Sequence, residues 1–525
     1  MNVVEPILFH ARLDPPAPAL FTPETSLGTV TYGRLARFIH SVGHRAIRLG
    51  IAPNAVVAIQ IKDPIFHTAV ALGLMQIGVV TVSVSAPLPT DLPVDVFLTD
   101  VVDVYPGRRK TKVVGVDLSW LSGKGIPVDD RHIYKGDGDD VCRITLTLGA
   151  TGEARAVGFT HNNQLKRVAR CNHLFGKTFP ECSRFFSSYG LGSSSGFLYV
   201  LYVLSRGGTV YFPGASLIET LQTFDVYKVQ GLIASPGNLS DFLSFYDDNP
   251  DFRSSFGVIL SAGSPLPRFL SERVRSRMGS NLVLSYGTTE TSTISSAPAH
   301  ALHEGAAGYI APGVSIRAVD EQGTILGPGN EGSLQVQTPV NVDGYLNEVA
   351  KTESPFLDGY FDTGDIGYVT TEKMLVITGR KKEVLNLGGE KVSPRFIEDV
   401  ITNHDSVREA LAFAVPSEFG IEEVWALTVP VGNLDEDALQ LHCRGRLPKA
   451  QVPVRFINVA ELPRTESEEV DRHRLDAMVR GLTGAGGRTR PGAVRRLEGP
   501  ALKYDLRLMT CVVFTRTVEA ARGGC

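Results

Sequence analysis

The sequence of 525 residues contains no CxxC pair. Its six cysteines are Cys142, Cys171, Cys182, Cys443, Cys511 and Cys525, and no histidine stands beside them at ligand spacing. That argues against a zinc module or a disulfide framework and suits the reducing cytosol, so a cytoplasmic location is expected. No basic excess exists either. Lys and Arg number 52 against 56 Asp and Glu, a net charge of −4, so no global field favours nucleic acid. Long apolar runs are missing as well. The most apolar stretch, 69–86, is interrupted by Gly, Gln, Thr and Ser, and reads as a buried helix followed by a strand rather than a membrane span. The opening MNVVEPILFH lacks a basic start followed by an apolar core, so no signal peptide is expected.

What is present is alternation. Apolar runs such as VVAIQI (56–61), GVVTVSV (78–84), GTVYF (208–212), GVILSAG (257–263) and NLVLSYG (281–287) are separated by helix-length segments. Strands of that kind imply parallel sheets covered on both faces. From about residue 315 the texture changes to short strands with Gly and Pro turns, which predicts a small antiparallel unit. After Gly379-Arg380 a mixed α/β pattern resumes to about 478. Residues 480–525 hold nine Lys and Arg against three Asp and Glu, without periodicity, and read as a disordered extension. A short strand in LMTCVVFTRTV, a nucleic-acid or membrane arm, and an altered reading frame are the other readings of that tail.

Four strings carry chemistry. In ITLTLGATGEARAVGFTH (144–161) a strand enters a Gly/Thr loop followed by a cation. Gly149 and Gly152 let backbone N–H groups approach an anion, Thr147 and Thr151 supply hydroxyls, and Arg155 supplies charge. No GKS or GKT follows, so this is not a Walker A loop, and a plain Gly-rich turn is the competing reading. In LSYGTTETS (284–292), Tyr286 can stack on a base, Thr289 can donate to phosphate and Glu290 can hold a divalent cation. The bland alternative is a strand end running into a capped helix. In DGYFDTGDIGYV (358–369) and ITGRKKEVLNLGGEKVSPRFIEDVI (377–401), Asp365 can accept two ribose hydroxyls and Arg380 can meet the same sugar or its phosphate. Each alone is as well read as a surface charge.

In this order the strings resemble the adenylate-forming superfamily: acyl- and aryl-CoA synthetases, the adenylation domains of nonribosomal peptide synthetases, and firefly luciferase. The resemblance runs over roughly residues 10–478 and includes SAGSPLP (261–267) and GYLNE (344–348). It implies an α/β fold, with a large N-terminal domain (1–380) of two αβ-layered subdomains plus a distorted β-barrel. A small α+β C-terminal lid (381–478) and a tail (479–525) would follow. It also implies ATP, magnesium and coenzyme A as cofactors. By resemblance the loop of Thr147, Gly149, Thr151, Gly152 and Arg155 wraps the ATP phosphates. Ala262, Gly263 and Ser264 form a nucleotide-binding turn. Tyr286, with Gly287 after it, packs on adenine, Thr289 contacts the α-phosphate and Glu290 binds magnesium. Asp365 takes the ribose with Arg380 as its partner. Lys382 is the hinge, and Gly388 and Gly389 lie in the loop presented during thioester formation. The acid would lie between SSYGLGSSSGF (187–197), the 261–264 turn and the strand end at Ser285, with Tyr189 near its carboxylate and Ser194 among small residues that leave room. A flexible loop is the plainer reading of that serine run. Nothing reads as a basic clamp for a second carboxylate, so a monocarboxylic acid is expected.

The chain departs from the family pattern in two places. The phosphate loop has Leu148 and Ala150 for hydroxyl residues, Ala154 for proline and Arg155 for lysine, so weaker ATP binding is expected. In LPRTESEEVDRHRL (462–475), Pro463, Arg464, Thr465, Ser467, Asp471, Arg472 and Leu475 match the family's PRTxSGKxDRxxL motif, but Glu468-Glu469 replace Gly-Lys. The family's lysine bridges the substrate carboxylate and the α-phosphate as two anions approach. A carboxylate there adds repulsion to the loss of a cation. Three outcomes stay open: a nearby cation (Arg464, Arg472 or Lys449) substitutes, the second half-reaction survives alone, or the chain is a degenerate nucleotide- or acyl-binding member. The thiol acceptor is coenzyme A or, alternatively, a carrier protein.

Overall fold

A computed structural model describes residues 1–478 except 24, 85–91, 102–110, 123–132, 149–153, 177–178, 251, 253, 304, 347–354, 384, 388–389, 417–421, 466–469, 472–473 and 476–477. The tail from 479, with its strand reading, lies outside the described residues.

Two sheets build the large N-terminal domain. The first runs Lys112–Gly115, Val96–Thr99, Val56–Gln60, Val80–Ser83, Val141–Leu148 and Ala154–Thr160, parallel except for its last pair. The second has a parallel block of Pro18–Phe21, Thr209–Tyr211, Arg184–Ser187, Gly231–Ala234, Val258–Ser261 and Leu282–Thr288. The five apolar runs picked out in the sequence all supply strands of these parallel blocks. Helix Pro64–Gln76 buries every residue after Pro64, and Asp63 caps it by accepting from the Phe66 N–H at 2.8 Å. The 69–86 stretch is therefore a buried helix followed by the strand Val80–Ser83.

The second sheet does not stop at Thr288. It continues, antiparallel, through Ser292–Pro298, Ala306–Ile310, Met374–Arg380, Tyr360–Val369, Gly332–Gln337 and Ser315–Val319. This is the unit expected as a distorted barrel. Among the described residues its pairings run as an open series.

The small C-terminal part has a three-stranded sheet of Val407–Pro416, Glu422–Pro430 and Arg455–Asn458, with helices Pro394–Thr402 and Glu436–Arg444. Leu462 and Leu475, at the two ends of the motif with the inverted charge, are buried with Leu411, Phe413, Val415, Leu427 and Val429. The motif is thereby fixed to the sheet at both ends. Between them Arg464 pairs with Val470 as an isolated antiparallel bridge, and the Asp471 N–H donates to the Pro463 carbonyl at 2.8 Å.

A buried polar pair, His67 on helix Pro64–Gln76 and Ser83 on strand Val80–Ser83, ties that helix to the first sheet. His67 Nδ1 faces the Ile61 carbonyl at 3.3 Å, which leaves Nε2 to accept from the Ser83 hydroxyl at 2.6 Å. Burial, reinforced by the Arg143 charge, lowers the His67 pKa from 6.5 to about 4. The unfolded chain therefore binds a proton between those values that the folded chain refuses. Stability is present above pH 6.5 and drains away as pH falls towards 4. At pH 5 the loss is about 2 kcal/mol. The melting temperature is expected to fall between pH 7.5 and 5, and His67→Gln to lower it at pH 7.5 while flattening that fall. A variant whose acid limb is as steep as the parent's would refute the assignment.

Candidate active site

Asp365 lies on the strand Tyr360–Val369, directly opposite Arg380 in the antiparallel ladder. Its carboxylate is 3% exposed. Arg380 Nε donates to Oδ1 at 2.8 Å, and the Tyr286 hydroxyl donates to Oδ2. Burial, and then the Asp365 charge, push the Tyr286 pKa well above its ordinary value, so the phenol stays a donor. A carboxylate has about four lone-pair sites, so two remain for further hydroxyl donors. The Thr363 hydroxyl accepts from the Asp365 N–H at 3.1 Å within the strand Tyr360–Val369.

Tyr286 arrives on the last parallel strand, Leu282–Thr288, which turns straight back into Ser292–Pro298. The string 284–292 is thus a β-hairpin, and the helix start weighed for it is replaced. Gly287 is required by close approach, since a Cβ there would lie 2.2 Å from the Ser292 carbonyl oxygen. Thr289 and Glu290 occupy the turn. Glu290 is buried, and its Oε1 accepts from the Tyr345 hydroxyl at 2.8 Å. That hydroxyl in turn accepts from Arg155 NH1 at 3.2 Å.

Arg155 and Thr147 face each other across the hairpin formed by Val141–Leu148 and Ala154–Thr160. Gly149, Thr151 and Gly152 lie outside the described residues; the strands on either side of them pair antiparallel. Gly388, Gly389, Glu468 and Glu469 also lie outside. Lys382 falls in the short turn Lys381–Glu383, and its side chain is outside the description.

On the acid side, Tyr189 is buried and its hydroxyl donates to the Ala262 carbonyl at 2.7 Å. This ties the 187–197 segment to the turn of Ala262, Gly263 and Ser264. Gly263 sits at φ +93°. Ser285 is half-buried opposite Ser296. The serine run is no flexible loop. Ser193 caps helix Ser194–Leu204, accepting from the Gly196 N–H at 3.0 Å. Ser194 is buried and accepts from Arg167 NH2 at 2.6 Å.

Two arginines that the sequence reading missed hold this segment. Arg143 is 0% exposed; it donates to the Ser83 hydroxyl at 3.0 Å and to the Leu191 carbonyl, and stacks 3.8 Å from the Phe197 ring centroid. Arg167 is 2% exposed and stacks 4.2 Å from the Phe159 centroid, and burial lowers its pKa to about 10. Phe159 lies opposite Arg143 in the ladder. Cations and rings thus join the hairpin of Val141–Leu148 and Ala154–Thr160 to the 187–197 segment. The signal available was a charged residue inside the apolar strand VCRITLTL.

The C-terminal part docks on helix Pro236–Asp248. Arg408 NH1 meets Asp241 Oδ1 at 3.2 Å. Arg464 meets Glu409 at 2.5 Å, and a Cβ on Gly237 would lie 3.2 Å from the Arg464 Nε. Arg464 is thereby committed.

Two carboxylates are thus engaged: Asp365 by a phenol and a guanidinium, and Glu290, four residues after Tyr286, through Tyr345 to Arg155. The model of "AMP-binding enzyme" matches residues 9–346, more than half of the chain. The chain belongs to the AMP-binding enzyme family. The family's C-terminal domain model matches residues 397–469. A 4-chlorobenzoate–CoA ligase of Arthrobacter sp is 26% identical over 494 residues, covering 90% of this chain and 94% of that protein. A 2-succinylbenzoate–CoA ligase of Bacillus licheniformis is 31% identical over 342 residues, covering 64% and 70%. The relatives named here are acid–CoA ligases. Among solved structures, an anthranilate CoA ligase in complex with anthranoyl-AMP superposes with a TM-score of 0.81 at 19% identity, covering 92% of this chain and 98% of that one. The Bacillus subtilis o-succinylbenzoate CoA synthetase with its acyl-adenylate intermediate gives 0.76 at 22% identity, covering 93% and 99%. These structures share the α/β fold with its large and small domains. Among the described residues no helix is long and apolar enough to cross a membrane.

Asp365→Asn is expected to weaken ATP binding by about 10- to 100-fold, the size of a hydrogen bond to a charged acceptor. Isothermal titration calorimetry checks this, and unchanged affinity would remove Asp365 from the nucleotide cleft.

Proposed function

We propose that the chain is an AMP-forming acid–thiol ligase using ATP, magnesium and coenzyme A. It joins a small monocarboxylic acid to AMP with release of pyrophosphate, and a thiol then displaces AMP to give the acyl thioester. The observation that carries this reading is the convergence of Tyr286 and Arg380 on the Asp365 carboxylate, with a second carboxylate, Glu290, four residues after Tyr286 and tied through Tyr345 to Arg155.

In the first step the acid's carboxylate attacks the α-phosphate and expels pyrophosphate. Asp365 orients the ribose through its remaining lone pairs, and the Tyr286 ring covers the base. Arg155 and the loop from Thr147 offset phosphate charge, with Thr289 donating nearby. The donor set fits magnesium. Glu290 Oε2 accepts no hydrogen bond among the described residues, and a single carboxylate plus nucleotide phosphates is the usual holding of that ion. When bound it neutralises charge on the phosphates. The acid lies beside Tyr189, Ser194 and Ser285. In the second step the small domain, divided from the large one near residue 380, turns about Lys382 and brings Gly388 and Gly389 to the cleft, where the thiol sulfur displaces AMP and its proton is released.

Glu469 is the obstacle. A carboxylate where the family places lysine opposes the approach of two anions, and losing one placed cation already costs about 10²–10³ in rate. Arg464 does not make good the loss, since Glu409 holds it. That leaves Arg472 and Lys449 as the cations able to offset the charge, and without one of them adenylation is impaired, while the second half-reaction rests on other residues. Glu468→Gly with Glu469→Lys is expected to raise acid-dependent ATP–pyrophosphate exchange by a factor on the order of 10² or more. Chemically made acyl-AMP supplied with coenzyme A is expected to yield thioester in the unaltered chain. Ordinary exchange by the unaltered chain, with no response to the double change, would sink this account of the loop. ATP binding with neither half-reaction would mark a nucleotide-binding member instead, and transfer to a carrier protein but not to coenzyme A would reassign the acceptor.

A further inference from the structure

The segment around Tyr345 bridges two parts of the cleft. The Tyr345 backbone pairs with Val157, and the Leu346 N–H donates to the Ala156 carbonyl at 2.8 Å, which stitches the segment to the strand that carries Arg155. Three residues earlier, the Val342 N–H donates to the Glu290 carbonyl at 3.0 Å, which stitches it to the turn that carries Glu290. The Tyr345 ring packs against Val157, Phe159 and Val342, with Phe356 edge-on at 5.3 Å. The ring is therefore fixed by apolar contacts and its hydroxyl is aimed by them.

A phenol has one proton and two lone pairs. Here the proton goes to Glu290 Oε1 at 2.8 Å, and a lone pair takes an Arg155 N–H at 3.2 Å. The Arg155 guanidinium also stands 5.2 Å from the ring centroid. A cation and an anion that do not touch are thus joined through one hydroxyl.

We propose that Tyr345 is a positioning residue for the metal carboxylate: its hydroxyl holds Glu290 with Oε2 turned to receive a divalent cation delivered with the nucleotide, and couples that carboxylate to Arg155. This rests on the reading of Glu290 as the metal ligand. The physical reason is geometric. A carboxylate with one oxygen pinned presents the other in a fixed direction, and losing such an outer partner typically costs about 10–100-fold in metal affinity. The coupling matters more in this chain because its phosphate loop has lost two hydroxyls, leaving Arg155 as the loop's side-chain cation.

The test is the gain in ATP affinity on adding metal, measured by isothermal titration calorimetry with Mg²⁺, with Mn²⁺ and in EDTA. Tyr345→Phe removes only the hydroxyl and keeps the packed ring. It is expected to cut the metal-dependent gain about tenfold or more while changing binding in EDTA far less. A merely structural role would lower both alike, and that result overturns the proposal, as does a full metal gain in the variant. Glu290→Gln is the reference. If it abolishes the gain while Tyr345→Phe leaves it intact, the positioning role fails and the metal ligand stands. If Glu290→Gln keeps the gain, or the parent shows none, the metal assignment fails and this inference falls with it.

Discussion

A carboxylate taken out of water must be met by donors, and Asp365 is the place where this protein meets that demand from two directions. Its two oxygens are claimed by Tyr286 and Arg380, which lie 94 residues apart in the chain. Arg380 is positioned by ladder register, whereas Tyr286 comes from the far end of a parallel block. They meet because one sheet runs without a break from parallel to antiparallel strands through the hairpin at 288–292. The sheet's continuity is what turns three separated side chains into one site, and a buried charge left half satisfied would cost several kcal/mol.

Behind the cleft the same rule is handled differently. Arg143 and Arg167 are buried cations that stack on Phe197 and Phe159 and donate to the acid segment. Arginine suits this because its guanidinium is weakly hydrated and planar, so a ring face and a few acceptors can replace its water. The arrangement fixes the 187–197 segment to the strand Val141–Leu148. It also explains why Ser194, which sequence alone suggests as a substrate-facing hydroxyl, is occupied by a protein partner.

The small domain carries a conflict between position and charge. Leu462 and Leu475 anchor the motif in the domain's core, and Arg464 is bound to Glu409. Between those anchors the sequence carries Glu468-Glu469, where the family pattern has Gly-Lys.

Sequence alone determined the class of fold, the parallel and antiparallel textures, the family and the order of its motifs. These depend on local patterning: apolar runs of strand length, Gly turns and charged residues at fixed spacing. Tertiary structure decided what those patterns could not. It showed that 284–292 is a hairpin rather than a helix start, because Gly287 and Ser292 come close only when the strand folds back. It showed that Ser193 caps a helix and that Ser194 serves Arg167. It gave Arg143 and Tyr345 their roles, since each acts through partners at least 48 residues away in sequence. Local rules see neighbours along the chain, whereas hydrogen bonds and stacking are settled by neighbours in space.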